Sequence, residues 1–243
     1  MRADAWNNRA GVELKKCVPC GFVYSSSFFG GYEHAGLQHA TKTKSDLFTL
    51  AQREQLPRLA QELVKKTGLH AGIALDFGCG VGLFALCLQE CGFRVYGIEP
   101  SQAFLQKHTQ VGISSATTLE MVGLAKESCD LVIIKDVLEH VDDPVRELQS
   151  ALEYLKPGGF LYVRVPNRYH YPFHWSVDTK FHVNHFSPHT MRTLLEKNSV
   201  KIIDHIGVYD ISTRVGKLYH AIFWRTKKFL PLYHQISLLC QKC

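Results

Sequence analysis

The sequence predicts an α/β fold: a doubly wound, mostly parallel sheet of about seven strands with a small N-terminal appendage. Three observations predict it. From residue 72 onward, short apolar runs alternate with helical segments, as in a parallel sheet covered on both faces. The run Leu75-Asp-Phe-Gly-Cys-Gly-Val-Gly-Leu-Phe84 follows an apolar stretch with three alternating glycines, which reads as strand, tight turn and helix. A second strand ends on an acid, Glu99, about 20 residues beyond the turn.

Residues 1–45 are rich in Gly, Ser, Lys and aromatics and read as an irregular appendage; residues 46–243 read as one domain. Ser45-Asp46 caps a helix running through Leu47, Leu50, Leu56, Leu59, Leu63 and Val64, with Pro57 as a break. Ile73-Ala74-Leu75 is the first strand, and Leu83, Phe84, Leu86, Cys87 and Leu88 mark the helix after the glycine turn. Phe93–Glu99 alternates as the second strand, and a weak third spans Gly112–Ala116. Cys129–Lys135 is an apolar run typical of a strand buried on both faces. Asp143-Pro144 opens a helix reaching Leu155, since an N-cap acid followed by proline is the preferred order. Pro157-Gly158-Gly159 ends that helix, and Phe160–Val165 is the fifth strand. Ser187-Pro188 opens another helix ending near Asn198; Val200–Tyr209 and Gln235–Gln241 are the last two strands. Two insertions, 166–186 and 211–234, interrupt this frame. The first leaves the sheet at its carboxyl edge, where ligands bind in open α/β sheets. Both are predicted to help enclose a substrate.

A glycine turn alone does not name its ligand, because dinucleotide-binding folds use one too. Asp76 narrows the choice. An acid two residues before the first glycine repels a pyrophosphate but suits an ammonium, and the turn lacks the Lys-Ser/Thr pair of a P-loop. Glu99 is placed for the two hydroxyls of a ribose. A ligand with a ribose and positive charge but no phosphate satisfies both; S-adenosylmethionine has these properties.

At this point the chain resembles the class I S-adenosylmethionine-dependent methyltransferases. Asp76-Phe-Gly-Cys-Gly-Val-Gly82 is similar to the first motif of that family, and Glu99 to its ribose acid. Asp136-Val-Leu-Glu-His-Val-Asp-Asp-Pro144 and Leu155-Lys-Pro-Gly-Gly-Phe-Leu-Tyr-Val163 resemble its later motifs, so the similarity spans about residues 50–243. The resemblance implies a Rossmann-like sheet with an antiparallel last strand. It implies cofactor contacts from Asp76, Phe77, Gly78, Cys79, Gly80, Gly82, Glu99, Pro100, Lys135 and Asp136. It also implies a small-molecule acceptor, most simply an oxygen of a sugar, glycan precursor or secondary metabolite. An RNA methyltransferase and a sugar C-methyltransferase are the alternatives. A non-catalytic cofactor-binding protein fits least, since Asp76, Gly78, Gly80 and Glu99 are all present.

Methyl transfer from a sulfonium is a direct displacement, so much of its rate comes from alignment. A base is needed only when the nucleophile must lose a proton. Three histidines are candidates. The Glu139-His140 pair recurs in related enzymes with differing substrates, so a structural role is the first reading for His140. His182 and His185 precede the Ser187 cap, where loop packing is the simpler reading; of the two, His185 is favoured as base or acceptor contact. Asn/Asp-Pro-Pro-Tyr, which serves planar amines, is absent after the fourth strand, which disfavours exocyclic-amine methylation.

Cys17-Val-Pro-Cys20-Gly21 resembles one knuckle of a zinc ribbon, but residues 1–16 hold no second pair. His34 and His39, or Cys240 and Cys243, are the residues available to complete it; neither arrangement is compelling, and no metal is expected. Cys79, Cys87 and Cys91 read as small core residues. Residues 214–230 mix Arg214, Lys217, Arg225, Lys227 and Lys228 with aromatics. Such a segment can lie on a membrane, but a lid helix with a solvated basic edge is simpler.

The net charge of +6 is mild and the basic residues are scattered, which disfavours a nucleic-acid partner. No run of 18 apolar residues is present, and the N-terminus lacks the apolar core of a signal peptide. Eight cysteines without an export signal read as reduced thiols, so the cytoplasm is the expected compartment. Oligomeric state is not legible.

Overall fold

The computed structural model describes residues 3–7, 13–25, 50–110, 112–167, 182–206 and 235–243. Several expected features lie outside these residues: the Ser45-Asp46 cap, His34 and His39, the aromatic run Tyr169, His170, Tyr171, Phe173, His174 and Trp175, and the basic segment 214–230.

In chain order the elements are β1 (Ala3–Asn7), β2 (Glu13–Cys17), β3 (Val23–Ser25), α1 (Leu50–Thr67), β4 (Gly72–Phe77), α2 (Leu83–Glu90), β5 (Phe93–Ile98), α3 (Gln102–Gln110), β6 (Ser114–Ala116) and β7 (Cys129–Lys135). They continue with α4 (Pro144–Leu152), β8 (Leu155–Pro166), β9 (Asn184–His185), α5 (Pro188–Lys197), β10 (Val200–His205) and β11 (Gln235–Lys242). Seven strands form one sheet in the order β10-β11-β8-β7-β4-β5-β6. β4 pairs in parallel with β5 and β7, β5 with β6, and β7 with β8. β11 is antiparallel to both β8 and β10, as the resemblance implied. The chain winds outward from β4 through β5 to β6, then crosses back to β7. The carboxyl ends of β4 and β7 therefore flank the switch point, where a crevice opens in such sheets.

Strand pleat divides the core. Leu75, Val132, Ile134, Leu161 and Val163 face one side, with Leu148, Ala151 and Leu152 of α4 and Met191 and Leu195 of α5. Ala74, Leu131, Ile133 and Tyr162 face the other, with Leu56, Leu59, Ala60 and Leu63 of α1 and Phe84, Ala85 and Leu88 of α2. Consecutive residues of β7 thus serve opposite clusters, which is why that strand reads as unbroken apolar sequence. The helix starts are set locally. The Asp143 carboxylate accepts from the Val145 and Arg146 amides at 3.0 Å each, ahead of α4. Ser187 and Thr190 form a reciprocal capping box ahead of α5.

Four expectations needed correction. Pro57 does not break α1, whose buried face runs past it from Leu56 to Leu63. α4 ends at Leu152, and β8 already begins at Leu155, so Pro157-Gly158-Gly159 lies within the strand. Gly158 holds φ +75 there, and the pairing with β7 shifts register between Cys129 and Leu131. α3 follows β5, where the sequence reading set out no helix. Nor is the appendage irregular where described. β1, β2 and β3 form an antiparallel sheet, and β3 pairs with β9, Val23 opposite His185 and Tyr24 opposite Asn184.

Candidate active site

The glycine turn sits at the carboxyl end of β4. Gly78 and Cys79 both donate their amides to the Ile98 carbonyl, at 2.8 and 3.0 Å, which folds the turn back onto β5. Gly78 (φ +77), Gly80 (φ +55) and Gly82 (φ +81) hold backbone angles that side chains disfavour. A Cβ on Gly80 would meet nothing within 4 Å, so the space over the turn is open. Phe77 is buried beneath it, and Cys79 packs its thiol against Gly97, where a Cβ would come within 2.6 Å of the sulfur. Burial pushes the Cys79 thiol well up, as befits a packing residue.

Two acids frame this space. Asp76 is 2% exposed, and its Oδ2 has no hydrogen-bond partner among the described residues. Burial, against the pull of Lys135 and with added repulsion from Glu99, pushes its carboxyl up to about 7. A buried acid with an unsatisfied oxygen is costly unless a ligand completes it. Glu99 is 3% exposed; its Oε2 accepts from the Gly80 amide and its Oε1 from the Ser101 amide, both at 2.9 Å. Burial raises this carboxyl too, and the two amides oppose it. Each oxygen keeps acceptor capacity for one more donor. Pro100 follows directly, exposed at the rim.

Beyond β7 the chain turns sharply. Asp136 adopts φ +58, and Arg164 of β8 grips its carboxylate from two nitrogens, Nε at 3.0 Å from Oδ1. Lys135 donates to Oδ2 at 3.1 Å. Burial alone would raise the Asp136 carboxyl; Lys135 and Arg164 outweigh it and hold it well below the usual range. Glu139 is 2% exposed, its Oε2 unpartnered among the described residues, and burial reinforced by Asp136 holds its carboxyl well above the ordinary value.

The segment around β9 is laced to this turn. Val183 and Asn184 donate their amides to the Glu139 carbonyl at 2.8 and 3.1 Å, and the Asn184 side chain donates to the Leu138 and Val141 carbonyls. This brings His182 against His140, ring centroids 4.8 Å apart and edge to face. His185, on β9, is 5% exposed. Phe186 packs on Phe22 of the N-terminal hairpin at 5.2 Å, and Ser25 donates to the Val183 carbonyl at 2.8 Å. The hairpin therefore clasps the end of the first insertion. Cys17 and Cys20 flank the turn of that hairpin, whereas Cys240 is fully buried in β11, within the other sheet.

Three participants escaped the sequence reading. Arg164 was signalled only as a lone charge within an apolar strand. Asn184 gave no signal. His108 is fully buried, with Nε2 2.7 Å from the Gly80 carbonyl and Nδ1 2.9 Å from the Ser115 hydroxyl. A carbonyl only accepts, so Nε2 carries the proton and Nδ1 accepts from Ser115. Burial, partly offset by the Gly80 contact, lowers the affinity of His108 for a second proton. Its position four residues after Phe104, on the same face of α3, was the available clue.

Comparison with known proteins accords with this geometry. Residues 50–205 match the family described as "Methyltransferase domain". The "Ubiquinone biosynthesis O-methyltransferase" of Caulobacter vibrioides is 30% identical over 125 residues, 48% of this chain and 50% of that protein. That of Haemophilus ducreyi is 34% identical over 116 residues, 43% of this chain and 49% of that protein. The chain spans about half the length of the curated relatives it matches. An S-adenosylmethionine-dependent methyltransferase from Mesorhizobium loti superposes with a TM-score of 0.57 at 18% identity, covering 76% of this chain and 98% of that one. The 1,6-didemethyltoxoflavin-N1-methyltransferase of Burkholderia thailandensis, solved with S-adenosylhomocysteine, gives 0.60 at 14% identity over 99% of each chain. These likenesses show the fold, and the match over 50–205 shows the family: the chain belongs to the methyltransferase-domain proteins, on a class I Rossmann-like sheet.

Proposed function

We propose that the protein is an S-adenosylmethionine-dependent O-methyltransferase of a small molecule. The observation that carries this reading is the pair of buried acids at the glycine turn. Asp76 offers an unpartnered buried oxygen to an ammonium, and Glu99 offers two oxygens, already fixed by backbone amides, to ribose hydroxyls. A pyrophosphate would meet two carboxylates there. Phe77, Gly78, Cys79, Gly80, Gly82 and Pro100 shape the remainder of this cofactor cradle, with Lys135 and Asp136 at its acceptor end. The cofactor supplies an electrophilic methyl group; this chain's residues bind it, align the acceptor behind it and exclude water.

The acceptor side is assigned to the turn 136–141 and the segment entering β9. An alcohol or phenol must shed a proton as its oxygen attacks, and imidazole is suited to accept it near neutral pH. His140 and His182, in ring contact, are the candidates with surface exposure, while buried His185 suits a positioning role through its strand pairing with Val23. Oxygen is favoured as the acceptor atom because the curated relatives are named O-methyltransferases. A sugar, glycan precursor or secondary metabolite with a free hydroxyl is the proposed class. No helix of the described residues is long and apolar enough to cross a membrane, in keeping with a cytoplasmic enzyme.

The test is transfer of a labelled methyl group from S-adenosylmethionine to a panel of phenols, sugar nucleotides and RNA. The expected result is label on a small-molecule hydroxyl, with one methylene of added mass. Label confined to RNA, or to nitrogen or carbon, would overturn the reading.

A further inference from the structure

His108 is a buried titratable group that methyl transfer itself does not use. It sits on α3, and each ring nitrogen has a partner: Nε2 lies 2.7 Å from the Gly80 carbonyl and Nδ1 lies 2.9 Å from the Ser115 hydroxyl. The hydroxyl donates to Nδ1 and so leaves the ring proton on Nε2, where the Gly80 carbonyl can accept it. The ring is also seated by shape. A Cβ on Gly82 would come within 3.1 Å of the His108 Cδ2, so the glycine there lets the turn close directly on the imidazole.

These bonds form a closed circuit around Glu99. Ser115 donates to His108, His108 to the Gly80 carbonyl, and the Gly80 amide to Glu99 Oε2 at 2.9 Å. The Glu99 amide returns to β6 by donating to the Ala116 carbonyl, next to Ser115, at 3.0 Å. Gly80 has no side chain to restrict its backbone, so bonds to both its polar groups fix what sterics leave free. The three donors from Ser115 to Gly80 run in one direction, toward the carboxylate, and bonds chained in this way polarise one another. A side chain of equal volume without a donor would fill the space under the turn but leave the Gly80 carbonyl unheld.

From this circuit we infer that His108 is a positioning residue for cofactor binding: it fixes the Gly80 peptide and, through the Gly80 amide, the orientation of Glu99 that meets the ribose hydroxyls. It acts through Gly80 rather than on the reacting atoms. Burial disfavours the charged ring, in keeping with a neutral imidazole that both accepts and donates. The inference rests on the S-adenosylmethionine reading above for its ligand.

The experiment measures S-adenosylhomocysteine affinity of the full chain by calorimetry. His108→Met keeps the volume and removes the donor, and affinity should fall about tenfold. His108→Gln returns an amide N–H to the neighbourhood of Nε2 and should recover most of that loss, to within about threefold of the parent. In a Glu99→Ala background, His108→Met should cost about twofold or less, because the carboxylate through which it acts is gone. Heteronuclear NMR of the histidine rings should show the Nε2–H tautomer for His108. Ser115→Ala leaves the ring in place, so it should mix the two tautomers and weaken binding about threefold even if His108→Met fails to fold. An equal loss from His108→Met in both backgrounds, a Gln variant as weak as the Met variant, or an Nδ1–H tautomer in the parent would overturn the inference and leave His108 a packing residue. Absence of binding by the parent overturns the cofactor reading and this inference with it, whereas any of the other results with a parent that binds overturns this inference alone.

Discussion

Glu99→Ala is expected to weaken S-adenosylhomocysteine binding by about a hundredfold or more, measured by calorimetry. Two charge-assisted hydrogen bonds to ribose, at about 1.5 to 3 kcal/mol each, account for that loss. The structure adds a second effect. The same carboxylate holds the Gly80 and Ser101 amides at 2.9 Å, so its removal also takes the acceptor from two half-buried donors and loosens the turn. Glu99→Gln separates the two contributions. It keeps one carbonyl acceptor and the shape, but its amide group cannot accept, so an intermediate loss is expected. Unchanged affinity in Glu99→Ala would put the ribose elsewhere.

Asp76→Asn should cost about a hundredfold or more as well, because it removes one partner of a buried ion pair with the ligand ammonium. Its signature is in the pH profile. Burial raises the Asp76 carboxyl from its ordinary 3.8 to about 7 in the ligand-free protein. The ligand needs the ionised form, so affinity should be full above about 7 and fall as pH drops below it. Stability of the free protein runs the other way. A raised acid pKa gives a contribution that is complete below 3.8 and lost as pH rises through about 7. The empty protein is therefore stabilised most by cofactor at neutral pH and above. In Asp76→Asn the pH step in affinity should vanish; a step of the same size in that variant would assign it to another group.

What the sequence made legible follows from how local each signal is. β7 and the glycine turn were readable because burial on both faces and positive φ each leave a residue-level mark: Val132 and Ile133 in the strand, Gly78 and Gly80 in the turn. The starts of α4 and α5 were readable because Asp143 and Ser187 act on amides two or three residues away. Long-range pairing left no such mark. In β2 and β3 the buried anchors are Leu14 and Val23, too few to set a period, and β3 finds its partner in β9, far along the chain. β8 was truncated in the reading because Pro-Gly-Gly usually ends elements, whereas here it is carried by the bulged edge of the β7 pairing. The site split along the same line. Asp76 and Glu99 sit at strand ends and were found from spacing. The grip of Arg164 on Asp136, the seat of His108 under Gly80, and the meeting of His140 with His182 depend on tertiary packing.

The most direct measurement is a crystal structure of the protein with S-adenosylhomocysteine. The account predicts the amino group of the ligand at Asp76, its ribose hydroxyls on Glu99, and its sulfur opening toward Glu139, His140 and His182. A ligand bound with its ribose away from Glu99, or with its sulfur facing away from those three residues, would contradict it.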